Sequence, residues 1–196
     1  MSCYNHKKTI LHIDSCVRRD SRTERLAQAL LKELDGEVTQ LRLEDLAFEP
    51  SDEAFLDRRE QLIEAGAFDH EMFDLARQFA EAEVIVISAP YWDLSFPASL
   101  KQYVEKICVN GVTFEYTPEG IPQGLCKAQR LYYVMTAGGD YAPEEYGYGY
   151  IQALARGYFG ITDFRLIKAT GLDIIGADAE KILQDCIEHE ILEHDV

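Results

Sequence analysis

The chain has 196 residues, 47% of them hydrophobic, and a formal net charge of −16. That length suits one domain, residues 1–196, with a single core, and the composition excludes a disordered chain. The charge argues against nucleic acid and anionic membrane as partners, and no apolar run approaches the roughly 20 residues that span a bilayer.

The amino-terminal residues lack the apolar region of a signal peptide, so a cytoplasmic protein is expected. Five scattered cysteines (Cys3, Cys16, Cys108, Cys126, Cys186) form no C-x-x-C pair, which suits reduced thiols rather than disulfides or zinc. The histidines are unclustered, and His189 and His194 stand five apart, so no metal site is expected.

In chain order, Thr9 to Asp14 reads as a first strand and Ser15 to Arg22 as a polar loop. A helix follows over 23–34, with Leu26, Ala27, Leu30, Leu31 and Leu34 on one face, capped by Ser21 or Thr23 and ended by Gly36. Residues 37–43 form a strand towards an edge. Residues 53–66 and 69–81 then read as a helical excursion. Val84 to Ile87 is a β-branched run without polar alternation, as expected of a strand buried on both faces. Pro90 stops it, and a helix begins near Pro97, with Leu100, Tyr103, Val104, Ile107 and Cys108 in register. Residues 112–116 and the turn Pro118-Glu119-Gly120 suggest a small hairpin. Strands over 130–136 and 163–169 follow, with a helix from Tyr150 to Phe159 between them and a last helix over 178–192. The tyrosine–glycine segment 146–150 reads as a lid or plain loop. This alternation implies an α/β, doubly wound fold: a five-stranded parallel sheet in the flavodoxin-like order 2-1-3-4-5. In that order the loops after strands 1 and 3 face each other across the ligand crevice.

Three loops carry the chemistry. Ser15, Ser21 and Thr23 offer hydroxyls, Arg22 a charge, and the helix start its free amides, a set suited to phosphate. An ordinary strand-to-helix loop with a serine cap reads equally well from these residues alone. Tyr91 and Trp92 offer planar surfaces between Pro90 and Phe96, and Thr136-Ala137-Gly138-Gly139 allows close approach of a ligand to the backbone. Together they describe a flavin mononucleotide (FMN) pocket. Cys16, beside Arg18 and Arg19 at the helix start, reads either as an activated thiol or as a small residue packed behind the loop.

At these residues the chain resembles the FMN-dependent NADH-azoreductase and NAD(P)H:quinone oxidoreductase family. The resemblance rests on Ser15 followed by Ser21-Arg22-Thr23, and on Pro90-Tyr91-Trp92-Asp93-Leu94-Ser95-Phe96-Pro97-Ala98-Ser99-Leu100-Lys101. The segments 111–117, Gly138-Gly139 and 159–163 fall in the family's order. The resemblance implies that Ser15, Ser21, Arg22 and Thr23 hold the FMN phosphate and that Pro90, Tyr91, Trp92, Asp93 and Leu94 line the ring. It places Thr136, Gly138 and Gly139 at the ring's polar edge, with Tyr141 as a contact for the acceptor. NADH or NADPH would be the donor, a quinone or azo compound the acceptor, and the homodimer would use apolar surface on the 53–81 excursion. No side chain need act as catalytic acid or base. Trp92-Asp93-Leu94, where the family has Tyr-Asn-Phe, and Ala137, where it has an arginine-like residue, depart from the pattern. A flavodoxin-like electron carrier and a non-catalytic binding protein are the alternative readings.

Overall fold

The computed structural model describes residues 7–193; Cys3 and His194 lie outside them. Among the described residues, seven strands and six α-helices follow one another: β1 (Lys8–Asp14), α1 (Arg22–Glu33), β2 (Gly36–Arg42), α2 (Glu53–Glu64), α3 (Asp74–Glu81), β3 (Val84–Ser88), α4 (Ala98–Ile107), β4 (Phe114–Tyr116), β5 (Pro122–Gly124), β6 (Arg130–Thr136), α5 (Tyr148–Leu154), β7 (Asp163–Ala169) and α6 (Ala179–Ile187). The main sheet has the order β2-β1-β3-β6-β7 and is parallel throughout, while β4 and β5 form a separate antiparallel hairpin. Counted within the sheet, this is the expected order 2-1-3-4-5.

The sheet's two faces explain the sequence of its strands. In β1, Leu11 and Ile13 face α3, α4 and the helix after residue 148, packing with Phe79, Leu100, Tyr103 and Phe159. Ile10 faces the other side, with Val84, Val86, Tyr132 and Val134, against Leu26 and Leu30 of α1 and Leu183 of α6. A central strand covered on both sides cannot alternate with polar residues, and all five residues of β3 are buried. Each fully buried large apolar side chain contributes roughly 1.5–3 kcal/mol.

Gly36 does not end α1. Leu34 closes that helix, and Gly36 opens β2, where a Cβ would lie 2.6 Å from both Ile10 Cδ1 and the Lys8 carbonyl. Two helices widen at their ends. α5 begins at Tyr148, so the lid or loop expected over 146–150 is already helical there, and it runs into a π-helical turn, Ala155–Phe159. α6 runs likewise into Glu188–Leu192. The excursion keeps little apolar surface. Phe73 and Ala76 are buried, Leu62 and Ile63 pack beside them, and among its large apolar side chains Leu56 alone is exposed.

Tyr103 is 1% exposed and its hydroxyl finds no partner among the described residues. Burying an unsatisfied hydroxyl costs about 1–3 kcal/mol, so Tyr103→Phe is expected to stabilise the protein. Thermal unfolding should show a midpoint raised by about 2–4 °C for each kcal/mol gained. A lowered midpoint would mean that the hydroxyl has a use.

Candidate functional site

Four loops meet at the carboxyl ends of the strands, and the contacts among them are specific. The loop after β1 enters α1 through Ser21, whose side chain accepts from the Glu24 amide (3.4 Å). Thr23 Oγ1 lies 2.7 Å from Thr136 Oγ1, both buried, joining the start of α1 to the end of β6. Arg22 reaches across to the loop after β7, donating to the Leu172 carbonyl (3.2 Å) and to Asp173 Oδ1 (2.9 Å). Asp173 in turn donates its amide to the Gly138 carbonyl (2.8 Å). A Cβ on Gly138 would meet Asp173 Oδ2 at 2.3 Å, so this glycine makes room for a carboxylate of the chain itself. Gly139 is different: a Cβ there would meet nothing within 4 Å, and its backbone borders open space.

Ser15 sits behind the loop rather than in it. It is 2% exposed and donates its hydroxyl to the Ser88 carbonyl (2.8 Å). Cys16 is buried beside it and burial pushes its thiol up to about 12, both of which favour the reading of a small residue packed behind the loop.

The aromatic loop is a tight reversal. Trp92 and Ser95 exchange amide-to-carbonyl bonds of 3.0 and 2.7 Å around Asp93 (φ 50°) and Leu94 (φ 68°). Aspartate tolerates this left-handed region; leucine does so at a cost of roughly 1–2 kcal/mol. Such strain clusters at ligand sites. The loop is tied down by Tyr91, which donates its amide to the Thr136 carbonyl (3.0 Å) and its hydroxyl to the Pro143 carbonyl (3.2 Å). Ser95 Oγ donates to the Tyr146 carbonyl (2.7 Å). Trp92, Leu94, Tyr141 and Tyr146 remain exposed, Tyr141 at 80%.

Beneath the first loop lies a polar cluster that the sequence reading missed. His12 and Asp14 of β1 are buried with Ser88 of β3, and Glu24 of α1 closes over them. The signal was faint, two polar residues inside an apolar strand, and only the β1–β3 register, Asp14 beside Ser88, makes it a group. Asp173 gave no sequence signal at all. Burial holds the His12 imidazole down to about 4, so it is neutral at pH 7. In the unfolded chain it protonates near 6.5. Stability from this residue is therefore complete above pH 6.5 and lost as the pH falls towards 4, up to about 3 kcal/mol at 1.36 kcal/mol per unit. Urea unfolding from pH 7 to 4 is expected to show that loss; an equal loss in His12→Phe would remove the histidine as its cause.

A family model described as having the flavodoxin-like fold matches residues 8–191. The chain belongs to this flavodoxin-like family. Among curated relatives, this flavodoxin-like chain is 46% identical over 125 residues to an FMN-dependent NADH:quinone oxidoreductase of Clostridium acetobutylicum, covering 61% of this chain and 62% of that protein. It is 41% identical over 118 residues to an enzyme of the same name from Clostridium perfringens, with 59% of each covered. The chain thus spans about three fifths of the length of the curated relatives it matches. Among solved structures, an azoreductase from Bacillus anthracis superposes with a TM-score of 0.81 at 23% identity, over 96% of this chain and 99% of that one. An FMN-dependent NADH-azoreductase from the same species, in complex with FMN, gives 0.79 at 22% identity, over 95% and 97%. At such identities the two structures establish the fold. Among the described residues, no helix is long and apolar enough to cross a membrane.

Proposed function

We propose that this chain is an FMN-dependent oxidoreductase that takes hydride from NADH, or NADPH, and reduces quinones or azo compounds. The observation that carries the reading is the convergence of three elements on one end of the sheet: a helix start with hydroxyls and a cation, a strained aromatic loop, and an open glycine backbone. The names of the relatives supply the cofactor, donor and acceptor classes.

These residues fit FMN. Ser21 and the amides opening α1 would hold the phosphate, helped by the helix dipole, while Thr23, buried and bonded to Thr136, would steady that helix start from behind. Arg22 offsets part of the phosphate's charge in a chain that is otherwise strongly acidic. Pro90 to Leu94 would lie against the ring, and Gly139 leaves room for its polar edge. Ser15 and Gly138 support the site from behind rather than touch the ligand. FMN would supply two-electron transfer between donor and acceptor, and the protein would orient the partners and exclude water. A second copy of the chain would complete the rim formed by Trp92, Leu94, Tyr141 and Tyr146, rather than dock on the excursion helices.

The test is a visible spectrum of protein loaded with FMN, desalted, then mixed anaerobically with NADH or NADPH. Retained flavin that bleaches at once with two electrons per FMN supports the enzyme. Retained flavin that neither nucleotide reduces would favour an electron carrier docking through its negative charge. No retained flavin would end the reading.

A further inference from the structure

The cation assigned to the phosphate already has an anionic partner within the chain. Arg22 Nη2 donates to Asp173 Oδ1 at 2.9 Å, and Nη1 donates to the Leu172 carbonyl at 3.2 Å. The same carboxylate stands over the glycine loop, since Asp173 Oδ2 would lie 2.3 Å from a Cβ on Gly138. Asp173 thus sits between the stretch that the FMN reading gives to the phosphate and the stretch it gives to the ring's polar edge.

The loop that carries Asp173 does not depend on this ion pair. Gly171, Leu172 and Asp173 donate their amides to the carbonyls of Gly139 (3.1 Å), Ala137 (3.3 Å) and Gly138 (2.8 Å), which fix the backbone after β7 whatever Arg22 does. The pair itself is open to water, with 33% of the Arg22 side chain and 65% of the Asp173 side chain exposed, and one hydrogen bond joins the two groups. The neighbouring pair is different. Arg25 grips Glu180 through both terminal nitrogens, at 2.8 and 2.6 Å, which leaves Asp173 as the carboxylate in contact with Arg22. An exposed pair on one bond is weak and exchanges its partner readily. A phosphate, close to a dianion at pH 7, attracts a guanidinium more strongly than one carboxylate does.

We propose that Asp173 is a specificity-determining residue of the cofactor site: its carboxylate competes with the FMN phosphate for Arg22, and so limits how far FMN is preferred to riboflavin. The proposal rests on the FMN reading above. Two anions share one cation, and each weakens the other's hold on it. Asp173→Asn removes the charge but keeps an oxygen that accepts from Arg22, and it leaves the three amide-to-carbonyl bonds of the loop in place. The charge of Arg22 then acts on the phosphate alone.

The experiment titrates FMN and riboflavin, followed by flavin fluorescence, into the unaltered apoprotein, Asp173→Asn, Arg22→Gln and the double variant. Asp173→Asn is expected to tighten FMN binding by about two- to fivefold, the worth of an exposed ion pair, and to leave riboflavin binding unchanged. In the Arg22→Gln background the same substitution should lose most of that gain, because the effect runs through the guanidinium. An FMN affinity that is weaker or unaltered in Asp173→Asn would make the carboxylate a fixed support of Arg22 and overturn the proposal. A gain that persists without Arg22, which is plain repulsion of the phosphate, also overturns it, as does an equal gain for riboflavin. Carbon NMR of the unaltered protein decides even if the variants misfold. The Asp173 carboxyl signal should move when FMN binds and stay when riboflavin binds, and a signal that FMN leaves in place counts against the competition. All of these outcomes leave the cofactor reading standing, whereas failure of the unaltered protein to bind FMN overturns both.

Discussion

Truncating Phe79 to alanine is expected to lower the stability of the protein by about 4 kcal/mol, near the middle of the range for buried phenylalanines. Phe79 lies on α3, is 2% exposed, and its ring centre stands 4.8 Å from that of Phe159, with the planes tilted by 59°. That geometry adds about 0.5–1.5 kcal/mol to the burial of the ring. The site also collapses poorly. Phe79 already borders a small apolar void, lined in addition by Leu100, Tyr103 and Ile151, so removing the ring enlarges a gap instead of making one that neighbours can fill. For a chain of this size the thermal midpoint should fall by about 10 °C or more. Because Phe79 packs between α3 and the sheet and not among the loops, the folded fraction should keep its FMN affinity. A loss of less than 1 kcal/mol by urea unfolding would show that the region is not packed as described.

Reversing the charge at Arg22 (Arg22→Glu) is expected to weaken FMN binding by two to three orders of magnitude. The guanidinium belongs to the first residue of α1 and is held at the loop after β7 by Leu172 and Asp173, whereas Arg25, further along the same turn, is paired with Glu180. Losing a hydrogen bond to a charged group costs about 1.5–3 kcal/mol, and a carboxylate in its place adds repulsion. Together these come to about 3–4 kcal/mol, or 100- to 1,000-fold at 1.4 kcal/mol per decade. Glutamate would also repel Asp173 and loosen the loop after β7. Riboflavin separates the two effects. A phosphate role predicts that riboflavin affinity changes by no more than a few-fold, whereas an equal loss for both flavins would place Arg22's contribution in the loop architecture alone.

The two variants probe parts of the molecule that were unequally legible. The strands and helices were open to reading because hydrophobic periodicity is a local property. Val84 to Ile87 announces a doubly covered strand by its lack of alternation, and Leu26, Leu30 and Leu31 announce the inward face of α1. The alternation of the elements then leaves few topologies, since parallel crossovers are right-handed. The candidate residues of the first and third loops were legible too, as hydroxyls, a cation and glycines at strand ends.

Pairing was not. That Ser15 spends its hydroxyl on Ser88, that Gly138 makes room for Asp173, and that Thr23 meets Thr136 depend on contacts between residues 35 to 113 positions apart. The left-handed pair Asp93-Leu94 also escaped, because leucine carries no signal for that conformation and the reversal that holds it is closed by the Trp92–Ser95 backbone bonds. Hydrophobic pattern alone thus determined the architecture and the end of the sheet at which to look. Only the tertiary structure decided which polar groups there remain free for a ligand, because a hydrogen bond's partner is set by the register of strands and the packing of loops, which no single stretch of chain contains.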